Sequence, residues 1–293
     1  MARLPQTTPA PQPIMVFMPQ TSSKDASPGQ APTTTTAAAT ATPAPEQSSS
    51  TTAATDATVR PPPFAQPKLR LEVRDLAHPG ATRFLASLDA AQVLSTAVAR
   101  VHSLLYRPDA ADYSPPPTRS VTVILRDMGG VAYTTGTELD GDHKEIHVSL
   151  AYVAGVSPAS RTAAEITGVL THELVHCYQW NALGTCPGGL IEGIADWVRL
   201  NCGLSPPHWQ KKAGDKWDAG YQNTAYFLQY LEERFGSGTI PRLNEKLRGK
   251  HYEEKTFWTE LLGRPVDQLW KDYVKSLEGG SKGQAVDEAT QTS

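Results

Sequence analysis

The feature that most limits the possible folds is a long segment near the N-terminus with almost no apolar side chains. In Thr21–Arg60, 31 of the 40 residues are Thr, Ser, Ala or Pro, and Val59 is the only large apolar residue. Such a segment cannot bury enough surface to offset the entropy cost of ordering its backbone. We therefore predict a disordered tail over residues 1–66, one folded domain over 67–277 and a flexible C-terminal tail over 278–293.

The charge and hydropathy of the chain exclude two classes of partner. The chain contains 27 Lys and Arg against 30 Asp and Glu, a net charge of −3, so it offers no excess of basic residues for a phosphate backbone. No stretch approaches the roughly 18 consecutive apolar residues that a membrane-spanning helix requires. We expect neither a nucleic acid nor a membrane as partner, and we expect a monomer.

The first 20 residues lack the two parts of a secretory signal. A signal peptide combines a basic region with an apolar stretch of about 7–15 residues, and neither is clear in this segment. A cytoplasmic location is the resulting expectation, with non-classical secretion as the alternative. Disulfides are not expected to define the fold, although Cys186 and Cys202 could pair in an oxidising compartment.

Apolar periodicity in the folded domain predicts a sheet followed by helices. Alternation predicts a strand starting near Leu69, a strand at Val121–Leu125, and a hairpin of Asp127–Gly136 with Glu145–Leu150. Helical spacing predicts helices over about 84–106, 166–178, 190–200, 224–235, 240–247 and 257–277, the last interrupted at Pro265. This order of elements is typical of an α+β fold.

A metal-binding pattern lies within one predicted helix. Residues 171–176 read Thr-His-Glu-Leu-Val-His, which places His172 and His176 four residues apart on one helix face. Glu173 is then directed at the open side of a metal bound by both histidines. The spacing indicates a zinc hydrolase, in which Glu173 acts as the general base.

A catalytic zinc needs a third protein ligand and one open position, and a second predicted helix supplies a candidate. Glu192 and Asp196 are four residues apart on that helix, after a Gly-rich turn. Glu192 can complete a His-His-Glu set, while Asp196 can accept a hydrogen bond from the second ring nitrogen of His172. The alternative for Glu192 is an ordinary role at a helix start, as a cap or dipole partner.

At these residues the chain resembles the plant basic secretory protein family, a group of zincin-like peptidases of plants, fungi and bacteria. The resemblance lies in residues 127–134, 144–147, 171–180, 187–200 and 220–221, and it spans essentially the whole folded domain. It implies a gluzincin-type fold, one zinc ion per chain held by His172, His176 and Glu192, and Glu173 as general base.

Two further elements complete the predicted active site. Tyr221, which starts a helix after a sharp turn, is the candidate for stabilising a tetrahedral oxyanion, with a packing or capping role as the alternative. Peptide substrates can pair with an edge strand, and Gly129–Thr135 is the predicted edge. Within it, the predicted substrate-binding residues are Gly130, Val131, Ala132 and Tyr133.

The sequence therefore predicts a zinc-dependent peptidase acting on peptide or protein substrates. Two alternatives remain open. The first is a non-catalytic zinc-containing binding or defence-type protein, and the second is a zinc hydrolase of a non-peptide amide or ester, which would use the same residues.

Overall fold

The computed structural model of the chain describes residues 64–106 and 114–290, with side chains described up to residue 278. Residues 1–63 of the predicted tail lie outside this part. Four strands form one sheet: β1 (Lys68–Val73), β2 (Ser120–Arg126), β3 (Ala132–Gly136) and β4 (His143–Ser149).

The sheet has the order β1-β2-β4-β3 and contains both strand directions. β1 and β4 run parallel to β2, whereas β3 pairs antiparallel with β4, which confirms the predicted hairpin. Side chains alternate between the two faces of a strand. Val121, Val123 and Leu125 accordingly point to the helices and are fully buried. β3 lies at one edge, and β4 is its one neighbour among the described strands.

Nine helices lie in the described part of the chain, and most of them follow the sheet. They are α1 (Pro79–Ser87), α2 (Ala90–Leu105), α3 (Leu150–Gly155), α4 (Thr162–Tyr178), α5 (Gly188–Asn201), α6 (Tyr221–Phe235), α7 (Thr239–Lys246), α8 (Glu254–Leu262) and α9 (Val266–Thr290). The predicted α+β class, with a mixed sheet before a mostly helical half, is confirmed.

Three of the predicted elements differ in detail from those in the structure. The single helix predicted over 84–106 is wrong, because α1 and α2 meet at 69° where Leu88 is extended and the Asp89 carboxylate caps α2 by accepting from the Gln92 amide. Leu150 begins the short helix α3 rather than ending a strand, since the Ser149 hydroxyl accepts from the Tyr152 amide. α9 continues to Thr290, into the segment predicted to be a flexible tail.

Close packing fixes α5 between α4 and α6. The buried Arg199 guanidinium donates to the Glu165 carboxylate across 3.0 Å, which ties α5 to α4. On the other side, a Cβ atom added to Gly193 would lie only 2.2 Å from Cγ2 of Thr224 in α6. The absence of a side chain at this glycine therefore permits the two helices to approach this closely.

No single helix of the described residues is long and apolar enough to cross a membrane. Taken together, α1 and α2 meet that requirement by length and composition, despite their bend.

Candidate metal and active site

Two helices bring the predicted ligand residues together. α4 carries His172, Glu173 and His176 on adjacent positions of its buried surface, and α5 carries Glu192 and Asp196. Four of these side chains are at least nine-tenths buried, and His176 is partly buried. The two side-chain pairs with i, i+4 spacing, His172 with His176 on α4 and Glu192 with Asp196 on α5, thus face each other where the two helices pack.

The possible ligand atoms of the three residues lie close enough together to share one metal ion. Nε2 of His172 lies 3.1 Å from Nε2 of His176 and 3.1 Å from Oε2 of Glu192, while Nε2 of His176 lies 3.7 Å from Oε1 of Glu192. Ligand atoms around one tetrahedral metal ion with bonds of about 2.0–2.2 Å lie about 3.3–3.6 Å apart, so each of these separations is within about 0.2 Å of that range. The buried Oε1 of Glu192 has no hydrogen-bond partner among the described residues. The three residues can therefore hold a metal ion.

The other ring nitrogen of each histidine has its own acceptor. Nδ1 of His172 lies 2.7 Å from Oδ1 of Asp196, which is fully buried. Nδ1 of His176 contacts Oε1 of Gln179, whose amide nitrogen donates to the Ile191 carbonyl oxygen at 3.0 Å. When Nδ1 carries the proton, Nε2 presents its lone pair to a metal. Both histidines are thus oriented as ligands.

The buried carboxylates favour positive charge at this position. Burial lowers the pKa of His172, but Asp196 and Glu192 together raise it to about 10. Burial raises the pKa of Glu192, yet the adjacent His172 and His176 outweigh burial and hold that pKa well below its usual range. A cation at the centre of this group therefore meets a strong negative potential, as a divalent metal site requires.

The edge strand β3 contacts Glu173 directly. The Thr134 hydroxyl lies 2.6 Å from Oε2 of Glu173 and 3.0 Å from the backbone oxygen of the same residue. This hydroxyl can donate to the carboxylate and restrict its orientation. Glu173 thus lies beside the His-His-Glu group, outside the set of possible ligands and against the predicted substrate-binding strand.

A cleft of about 250 Å³ opens over the site between β3, α4 and the turn that follows α4. Ala132 and Tyr133 line it, but Gly130 and Val131 do not, because they precede β3 and the Val131 oxygen accepts from the Ser149 amide. The cleft-lining strand instead continues to Gly136. The edge strand, predicted as Gly129–Thr135, begins three residues later and ends one residue later than predicted.

Tyr221 lies on the side of the site formed by α6. Its ring stacks on the His172 ring with centroids 6.3 Å apart and planes 14° apart. Burial and the nearby carboxylates of Glu192, Asp196 and Glu173 raise the pKa of its phenol, which therefore stays protonated at neutral pH. Tyr221 also has a φ of 47°, a conformation that costs a non-glycine residue about 1–3 kcal/mol.

Cys186 and Cys202 are too far apart to form the disulfide considered from the sequence. They flank α5, whose 14 residues extend about 21 Å, whereas disulfide-bonded Cα atoms lie within about 7 Å. Cys177 is buried in α4, and burial raises the pKa of its thiol.

Two polar contacts at this site were not predicted. Gln179 comes just after α4 ends, and Thr134 lies in the predicted edge strand, one residue beyond the predicted substrate-binding residues. Thr134 lies within the predicted strand Asp127–Gly136, so alternation along that strand could have identified it. The sequence contains no comparable signal for Gln179, since its contacts depend on how α5 packs against α4.

Comparison with known proteins agrees with the geometry of the site. Residues 66–273 match the family BSP, described as peptidase of plants and bacteria. Comparisons with curated proteins and with solved structures returned no match. The matched range contains the whole sheet and helices α1 to α8, and it therefore includes every residue of the candidate site. The chain belongs to the BSP family of peptidases of plants and bacteria.

Proposed function

We propose that this chain is a zinc-dependent peptidase with a zincin-like fold of the gluzincin type. The single observation that carries the proposal is the convergence of His172, His176 and Glu192 with Glu173 beside them in an open cleft. Two imidazoles and one carboxylate form the ligand set of many catalytic zinc sites, which keep one position open for water or substrate. A purely structural site has no use for a glutamate in the position of Glu173.

The residues present suit zinc by ligand type and by spacing. When bound, zinc supplies Lewis acidity toward the scissile carbonyl and lowers the pKa of a coordinated water. Asp196 and Gln179 hold the two histidines so that their Nε2 atoms face inward.

Glu173 is the proposed general base. Its carboxylate accepts a proton from the water that attacks the carbonyl carbon and then delivers that proton to the leaving amine. The Thr134 hydroxyl occupies Oε2, which leaves Oε1 as the oxygen for proton transfer.

Tyr221 is the proposed donor to the oxyanion of the tetrahedral intermediate. A phenol with a raised pKa keeps its proton and can donate it in a hydrogen bond to a developing negative charge. The positive φ of Tyr221 supports this role, because strained backbone is retained more often at functional sites than elsewhere.

The free edge of β3 is the proposed binding surface for the substrate backbone. Ala132 and Tyr133 lie in this strand. The Tyr133 ring points away from the helices and stacks on His147, with 4.5 Å between the ring centroids. Tyr133 therefore contributes its backbone to the cleft rather than its ring. An extended peptide that pairs with this edge places its scissile bond beside Glu173.

The decisive experiment incubates purified protein with a diverse peptide mixture and identifies the cleavage products by mass spectrometry, with zinc content measured on each sample. The variants are Glu173→Gln and Glu192→Ala, and the matched control is Glu72→Gln on β1, at the opposite edge of the sheet. We expect Glu173→Gln to keep about one zinc per chain and lose at least about a hundredfold in turnover. Glu192→Ala should lose both the bound zinc and the turnover.

Other outcomes identify the alternatives. Zinc in the wild type without peptide cleavage would favour a binding protein, or a hydrolase of amides or esters that are not peptides, which a screen of such substrates would then separate. A wild-type protein that takes up no zinc after reconstitution would overturn the assignment of His172, His176 and Glu192.

A further inference from the structure

The cleft contains a lysine that the proposed mechanism does not use. Lys144 lies in β4, and its side chain lines the cleft on the same sheet face as the buried Ile146. Its Nζ lies 3.9 Å from the position that a Cβ atom on Gly136 would occupy. Because Gly136 carries no side chain, the ammonium group lies beside the end of β3, at one end of the cleft.

The acidic residues near Lys144 are engaged with other partners. In the turn before β4, Asp140 and Asp142 both pair with Arg119. Glu145, the next residue in β4, pairs with His147 at 3.1 Å.

The carboxylates at the centre of the cleft are also engaged. Glu173 accepts from Thr134, and Glu192 contacts both histidines of the metal group. Among the described residues, Lys144 takes part in none of the ion pairs or side-chain hydrogen bonds. A half-buried ammonium without a counter-charge is stabilised when a carboxylate enters the cleft.

The position of Lys144 along the strand indicates which part of a substrate it can reach. Thr134, which marks the position of Glu173, and Gly136 lie on the same face of β3, two residues apart. That separation corresponds to about 6.8 Å in an antiparallel strand. A peptide extended along the same edge therefore brings a group about two residues from its scissile bond to the Lys144 ammonium.

We propose that Lys144 binds a carboxylate of the substrate and so selects acidic peptides. The carboxylate is either an Asp or Glu side chain about two residues from the scissile bond, or the free C-terminus of the substrate. This inference rests on the proposed function, since it names the substrate class of the same cleft.

The test compares cleavage-site preferences over a large peptide library, half of it with amidated C-termini. The variants are Lys144→Met and Lys144→Glu, and Lys68→Met on the exposed edge strand β1 is the matched control. The wild type and the control should favour an acidic residue at one position by about fivefold, the size expected for a partly exposed ion pair. Lys144→Met should abolish this preference at that position only, and Lys144→Glu should replace it with a preference for Lys or Arg.

The two sources of the carboxylate give different results in the library. A free C-terminus as the ligand predicts that amidation reduces cleavage by the wild type, but not by Lys144→Met. An acidic side chain as the ligand predicts no effect of amidation. An acidic preference that persists in Lys144→Met overturns the proposal, as does a wild type that shows neither an acidic preference nor an effect of amidation.

A binding measurement separates this inference from the proposed peptidase activity. Two fluorescein-labelled peptide pools are compared, one with Asp and the other with Asn at each fixed position. Binding of each pool to the Glu173→Gln protein is measured by titration and fluorescence anisotropy. We expect about fivefold tighter binding of the Asp pool, lost in the double variant with Lys144→Met. Equal binding of both pools, together with equal binding of the same peptides with free and amidated C-termini, overturns the carboxylate subsite whatever the activity. Asp-selective binding without turnover by the wild type overturns the peptidase and leaves the subsite standing.

Discussion

The hydroxyl of Thr134 lies 2.6 Å from Oε2 of Glu173, so the edge strand of the sheet holds the side chain proposed as general base. The same strand is the proposed partner of the substrate backbone. A shift of β3 relative to α4 would therefore change the orientation of the base and the position of the substrate together. This coupling is a property of the tertiary contact, since 39 residues separate the two side chains in the sequence.

The first prediction concerns this hydrogen bond. Thr134→Val keeps the shape of the side chain and removes the hydroxyl. A hydrogen bond to a charged group contributes about 1.5–3 kcal/mol, so we expect kcat to fall by about 10- to 100-fold with zinc content unchanged. Thr134→Ser, which retains a hydroxyl, should stay within about threefold of the wild type. Full activity of Thr134→Val would show that the hydroxyl does not contribute to turnover.

The second prediction concerns the partners of the two histidines. Asp196→Asn and Gln179→Leu should each weaken zinc binding by about 10- to 100-fold, measured by competition with a chelator. The loss should be larger for Asp196, whose partner His172 depends on a buried charge. Asp267→Asn and Gln268→Leu, both at exposed positions of α9, are the controls. If either site variant binds zinc with unchanged affinity, the substituted residue does not position its histidine.

The third prediction concerns the contact between α5 and α6. Gly193→Ala places a Cβ atom 2.2 Å from Cγ2 of Thr224, so we expect a loss of about 2 kcal/mol in the free energy of unfolding, measured by urea denaturation. Gly188→Ala, where nothing lies within 4 Å of the added atom, is the matched control and should be neutral or slightly stabilising. Adding Thr224→Ser, which removes Cγ2, should recover part of the loss. A neutral Gly193→Ala would show that the helices have room to separate.

The fourth prediction concerns the pH dependence of stability. Burial among aromatic rings lowers the pKa of His102 from 6.5 to about 4. Between these values the unfolded chain binds more protons than the folded one. The free energy of unfolding that depends on neutral His102 is therefore fully present above pH 6.5 and is lost as the pH falls toward 4.

The variant His102→Phe isolates this effect. Relative to it, the wild type should lose up to about 3 kcal/mol of unfolding free energy between pH 6.5 and 4, as measured by chemical denaturation at each pH. His251→Phe, at an exposed position, should keep the wild-type pH dependence. If the unfolding free energies of the wild type and His102→Phe change in parallel with pH, His102 is not the source of the pH dependence.

Local periodicity was sufficient to predict the centre of the site. The spacings of His172 with His176, and of Glu192 with Asp196, are each set within one helix, so the helical repeat fixes which side chains share a face. A Gly-rich turn between the helices then indicated that the two faces meet. The class of the fold followed in the same way from runs of alternating and helical spacing.

Features that depend on packing between elements were not predictable in this way. The bend between α1 and α2 depends on Asp89 capping a new helix, which helical spacing alone does not distinguish from an exposed polar residue. The contacts of Gln179 and Lys144 depend on the relative positions of α4, α5 and the sheet. No spacing within a single element carries that information.

The position of the cleft at a strand edge limits which proteins this chain can cut. The cleft of about 250 Å³ lies against one edge strand, and the proposed ligand of that edge is an extended segment. A folded protein must therefore release a stretch of its backbone before that stretch can pair with β3. Local openings of a native protein cost free energies that range from near zero at termini and loops to the full unfolding free energy in the core. Susceptibility to this peptidase will thus follow the local stability of the target as much as its sequence.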